Sequence, residues 1–271
     1  MNFVHILLKP TKIIKTNFNI SEVTSKIEIP KKSKDFVKEY LTSNKLSDEY
    51  GSDLMLAFED EFIYGFDYNY NNQKLLIPEI NPVTIFYSNA LMSHHNLIAF
   101  RKALYSESPT ITDYKKTVNP SLFGNFFQLA SNCIINLQAA IETFTNRLIP
   151  ENYTYLDKDG NNFNPSLFHK LDSTLPEITD KKFRTKYKKD NFLIKKIIEL
   201  RNEIIHLKPI QEKTNTQYKI IYRKILNFEY NKAIIATRNF INYYEPNLIE
   251  ECSCGKEHYY EITIDNSKQN T

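Results

Sequence analysis

The clearest rhythm of apolar and polar positions lies in the second half of the chain. Over residues 121–148 apolar side chains recur every three or four positions, at Leu122, Phe126, Leu129, Ala130, Cys133, Leu137, Ala140, Ile141, Phe144 and Leu148, and Pro150 follows. That spacing predicts a helix with one broad buried stripe. A second helix is predicted over 82–105, where Asn81 supplies a cap, Pro82 suits the first helical position, and Phe86, Ala90, Leu91, Leu97, Ala99 and Leu104 form the stripe. A third runs over 192–207, with Leu193, Ile197, Leu200 and Ile204 on one strip, Ile194, Ile198 and Ile205 beside it, and Pro209 as its stop. Apolar pattern resumes over 220–226, and a last helix carries Tyr230, Ala233, Ile234, Thr237, Phe240, Ile241 and Tyr244. Residues 81–246 therefore read as a bundle of four or five helices.

Residues 1–80 are less regular and read as a smaller mixed α/β region. Ser33 is placed to cap a helix bearing Phe36, Val37, Tyr40 and Leu41, while 54–58 and 62–66 read as short strands around the acidic turn Glu59-Asp60-Glu61. Tyr64, Phe66, Tyr68 and Tyr70, at spacing two, mark a strand with an aromatic face; the other use of such a face is base stacking. Residues 247–271 form a short tail. The run Asp157-Lys158-Asp159-Gly160-Asn161-Asn162 has the outline of a calcium loop, but with Asp157 first its sixth and twelfth positions hold Asn162 and Phe168 instead of glycine and glutamate. A turn is expected there.

Composition narrows the function classes. With 5 glycines against 18 tyrosines and 18 phenylalanines, the chain lacks the glycines that phosphate-cradling loops and turn-rich β proteins need. The net charge of +3 leaves any basic surface local. The densest basic run spans 181–189 and includes Lys186, Lys188 and Lys189, read either as a solvated face or as a contact for RNA phosphates. Three cysteines make no disulfide framework, so a reducing compartment fits. The N-terminal stretch lacks a basic leader and a cleavage site, and no run approaches the ~18 apolar residues of a membrane span. A cytoplasmic chain without membrane contact is expected.

Histidines and cysteines set the candidate chemistry. His94 and His95 point about 100° apart around one helix, so they do not share a metal. Cys252, Cys254 and His258 put three soft ligands within seven residues, a zinc candidate that lacks a fourth ligand; a solvent-facing turn before a strand-like 259–264 is the default reading. The most informative run is Arg201-Asn202-Glu203-Ile204-Ile205-His206, near a helix end. Histidine carries protons near neutral pH, arginine offers a permanent charge and a fork for phosphate, and RNA cleavage by the ribose 2′-OH uses both. Five residues on a helix rotate by about 500°, so Arg201 and His206 diverge whereas Asn202 and His206 share a face. Upstream, Glu142 and Asn146 sit one turn apart beside the apolar stripe of their helix. The structural alternative pairs Arg201 with Glu142 between packed helices and lets His206 donate to a carbonyl at the helix end.

The run Arg201–His206 at a helix end, with the helix Leu137 to Pro150 upstream, resembles the signature of the HEPN superfamily of helical-bundle proteins. The resemblance spans about residues 121–244 and implies a HEPN-like bundle. It also implies a metal-independent endoribonuclease without a cofactor, built as a homodimer in which two motifs face each other across one cleft. In that reading His206 is the acid-base residue, Arg201 contacts the scissile phosphate, Asn202 and Glu142 orient them, and Asn146 supports. Such proteins serve as toxins or antiviral-defence effectors, restrained or triggered by a protein partner. Members that do not cut bind RNA, nucleotides or proteins instead.

Overall fold

The computed structural model describes residues 3–43, 54–58, 60–113, 115–209 and 216–254. Contacts divide the chain into two units: Leu8–Asn81 form one, and the residues before and after them form the other.

The smaller unit is mixed. It holds β1 (Ile13–Lys15), α1 (Ile20–Lys26), α2 (Lys31–Ser43), β2 (Leu54–Phe58), β3 (Glu61–Tyr70) and β4 (Gln73–Pro78). All three other strands pair antiparallel with β3, in registers that include Ile13↔Ile63, Leu56↔Ile63 and Tyr68↔Leu75. β3 runs on through the whole aromatic series, past the end expected at residue 66, and Asn71 and Asn72 with positive φ then make the tight turn into β4. At Gly65 a Cβ would lie 2.8 Å from both the Ile77 carbonyl and Leu56 Cδ1, so only glycine fits between the strands. Phe66, Tyr68 and Tyr70 are exposed, while Asp67 between them is buried in an ion pair with Lys74. α2 starts after Pro30, whose carbonyl accepts from Ser33 and Lys34. Ser33 is thus inside the first turn and not a cap, and the stripe residues Phe36 and Val37 are exposed.

The larger unit is helical: α3 (Pro82–Glu107), α4 (Pro120–Leu148), α5 (Leu167–His169), a π-helical stretch Lys170–Thr174, α6 (Leu175–Thr179), α7 (Phe183–Lys186), α8 (Lys188–Ile205), α9 (Lys219–Leu226) and α10 (Tyr230–Tyr244). Asn119 caps α4, its side-chain oxygen accepting from Ser121 N at 3.0 Å, and Pro120 takes the first helical position. α3 and α4 make the largest interface, and α4 also packs against α8 and α10. Ala90, Ala130 and Ala140 are fully buried, which lets helices approach closely around Ile134, Leu137, Ile141 and Ile197. One end of the core is aromatic, with Phe144, Phe240 and Phe183 in edge-to-face contact. Among the described residues no helix is long and apolar enough to cross a membrane.

The stretch 167–179 carries no helical stripe, and Pro176 stands inside it. A proline ring collides with the carbonyl four residues back; here the preceding turn widens, so that Leu175 N–H reaches Lys170 O. The widened turn is tied down on two sides, by Asp172 to Lys195 of α8 at 2.6 Å and by Lys170 to Asn146 of α4 at 2.8 Å. The helical unit also takes in both flanks of the smaller one: Ile6 is buried and bridges Glu251, so residues 3–7 and 248–254 belong to the bundle.

Candidate functional site

α8 places the motif at its C-terminal end. Leu193, Ile194, Ile197, Ile198, Leu200 and Ile204 bury its inner face, which leaves Arg201 half-buried and Asn202 and His206 exposed. His206 is the cap residue, with φ −103° and ψ 37°, and its backbone N–H donates to Asn202 O at 3.0 Å. The side chain of Asn202 faces Arg201: Arg201 Nη1 donates to Asn202 Oδ1 at 3.2 Å. The Asn202 side chain therefore draws the guanidinium toward the strip that helix geometry gives to Asn202 and His206. Arg201 Nε is shielded from solvent and makes no hydrogen bond among the described residues.

The supporting residues from α4 go elsewhere. Glu142 accepts from Gln138 Nε2 at 2.5 Å, and Asn146 accepts from Lys170. Neither bonds to Arg201 or His206, and among the described residues no Arg201–Glu142 ion pair forms. The structure thus joins Arg201 to Asn202, places His206 one turn on at the helix end, and leaves Glu142 and Asn146 to helix packing. Glu203, inside the motif, is bound by Lys224 of α9 at 2.7 and 2.8 Å. It faces a cleft of ≈ 530 Å³ lined also by Lys196, Glu199, Leu200 and Arg223, on the side of α8 away from Arg201.

The basic residues are spread out. Lys188 and Lys189 begin α8, about 25 Å along the helix from His206 at 1.5 Å per residue. Lys186 lies over the rings of Tyr187 and Tyr243, at 5.4 and 5.5 Å. All three are exposed. An RNA strand touching both places would extend over about eight helical steps of 3.4 Å.

Of the histidine pair on α3, His94 is buried and its Nε2 stands 2.6 Å from Asn231 Oδ1, whereas His95 is exposed. Burial holds the His94 imidazole below the ordinary histidine range, against the pull of the Asn231 hydrogen bond. The unfolded chain accepts a proton that the folded chain refuses. The stability this neutral ring contributes is full above the unfolded value of about 6.5 and is lost as pH falls through the folded value. His94→Gln, which keeps a donor for Asn231, is expected to flatten the fall in urea midpoint below about pH 6.5; an unchanged fall would assign it to other groups.

Cys252 and Cys254 do not sit on an isolated solvent-facing turn. They meet His5, which sequence spacing could not single out because it lies 249 residues from Cys254. The backbone N–H of Cys254 pulls the Cys252 thiol down, but the Cys254 sulfur beside it and partial burial outweigh this and leave the thiol raised. His258, the third ligand expected from the sequence, lies outside the described residues, as does the strand-like 259–264. Asp157 closes the turn expected at 157–162, accepting from the backbone of Asp159 and Asn161. Comparison of the chain with protein-family models, curated proteins and solved structures finds no match.

Proposed function

We propose that this chain is a metal-independent endoribonuclease of HEPN type, acting as a homodimer in a toxin or antiviral-defence role under the control of a protein partner. The observation that carries the reading is a half-buried arginine, held by the Asn202 side chain, and an exposed histidine at the C-terminal end of one helix. His206 takes the proton from a ribose 2′-OH as that oxygen attacks the neighbouring phosphorus. The P–O5′ bond breaks, and a second imidazole, the partner copy's, delivers a proton to the leaving oxygen. Arg201 neutralises the charge that builds on the phosphorane oxygens. Two motifs across a two-fold axis supply one base and one acid. The half-exposed Ile205 beside His206 provides apolar surface for that contact. In this geometry Asn202 holds Arg201, and Glu142 has no part.

Purified protein incubated with RNA in the absence of divalent cations is expected to leave 2′,3′-cyclic phosphate and 5′-hydroxyl ends. Cleavage that requires added magnesium or manganese, or that leaves 5′-phosphates, would overturn the mechanism. RNA retained intact in a stable complex would instead identify a binding module.

A further inference from the structure

The first and last described segments of the chain pair with each other. Ile6 and Glu251 form an antiparallel bridge, flanked by Leu7 N–H to Glu250 O and Cys252 N–H to His5 O, each 2.9 Å. In this register His5 stands opposite Cys252, and residues opposite one another in an antiparallel pair project from the same face. Cys254, two residues on, brings its sulfur to the same histidine. The outcome is a cluster in which one ligand atom each from His5, Cys252 and Cys254 lies within 4.8 Å of the others, with Cys254 Sγ 3.3 Å from His5 Nε2. Zinc bonds of about 2.3 Å to sulfur and 2.0–2.1 Å to nitrogen, at tetrahedral angles, separate neighbouring ligand atoms by about 3.5–3.8 Å. The three atoms are therefore already spaced close to one face of a zinc tetrahedron.

We propose that His5, Cys252 and Cys254 bind one zinc ion that clasps the segment around His5 to the segment around Cys252. One imidazole and two thiolates form a soft donor set suited to zinc and poorly suited to magnesium or calcium. Binding releases both thiol protons to solvent, and the fourth position is open to water or another donor. His5 is 4% exposed, Cys252 is half-buried and Cys254 is exposed, so the ion enters from the cysteine side. The site shares no residue with the Arg201–His206 motif, and its role is structural.

The test uses the full chain, expressed with zinc and purified without chelator. About one zinc per chain is expected, and cobalt in its place should show thiolate-to-cobalt charge transfer in the near ultraviolet. Cys254→Ser, at an exposed position that leaves the bundle packed, is expected to weaken zinc binding at least tenfold, and His5→Gln to do the same. Zinc removal should speed amide exchange at Leu7 at least tenfold while leaving α4 protected. Less than one zinc per two chains, full zinc retention in the Cys252→Ser/Cys254→Ser double variant, or a Cys252–Cys254 disulfide in its place would overturn the proposal. None of these readouts involves RNA, so the outcome stands apart from that of the proposed ribonuclease.

Discussion

Replacing His206 by alanine is expected to lower the rate of RNA cleavage by about 10²–10⁴-fold, the usual worth of one positioned proton carrier. The loss should appear without loss of fold. His206 is exposed, and the hydrogen bond it makes here comes from its backbone N–H, which alanine keeps. Arg201→Lys separates charge from geometry: it retains the cation but not the fork, and should fall well below wild type if the guanidinium grips the phosphate with two N–H groups. Mixing provides the dimer arm of the experiment. An excess of the His206→Ala chain added to wild type should depress cleavage per wild-type chain, because mixed dimers carry one imidazole where the reaction uses two. Unchanged cleavage by the alanine variant would remove His206 from the chemistry, and insensitivity to mixing would remove the shared cleft.

The largest effect on stability is expected at Phe144. It is fully buried, its ring centroid 5.8 Å from that of Phe240 at 82° and 6.3 Å from that of Tyr244, where α4 meets α10. Phe144→Ala opens a cavity that neighbouring rings close only in part, and should cost about 3–5 kcal/mol in equilibrium denaturation. A cost below about 1 kcal/mol would mean that this end of the bundle is not close-packed. Such a loss is a large share of the ~5–15 kcal/mol that a domain has to spare.

How far the sequence could be read depended on how locally each feature is encoded. α10 was legible to its bounds because its buried positions recur every three or four residues and Pro246 closes it. α8 begins at Lys188, four residues before its expected start, because its first turn is polar and carries no stripe. Asn119-Pro120 follows the same capping logic as Asn81-Pro82, yet it starts α4 one residue ahead of the apolar signal. α2 forms where its apolar residues call for a helix, but Phe36 and Val37 on it face solvent, which their pattern does not show. At the candidate site the spacing of Arg201 and His206 was readable, whereas the choice of partners was not. Gln138 and Lys170 take up Glu142 and Asn146, and no periodicity says which of several nearby donors a carboxylate or amide will accept from. The meeting of His5 with Cys252 depends on the whole fold and leaves no trace in any local window.

The pairing of Leu7 with Glu250 also orders events in time. Closing so long a loop adds little free-energy cost, because that cost grows only with the logarithm of length. Synthesis sets the delay. His5 is made 249 residues before Cys254, and at about 5–20 residues per second the segment around His5 waits roughly 10–50 s for its partner. α3 and α4 can pack in that interval, but Ile6, which ends 1% exposed, cannot yet form its bridge to Glu251. Until Glu251 emerges the newborn chain thus holds Ile6 unpaired, and a chaperone has that interval in which to cover it.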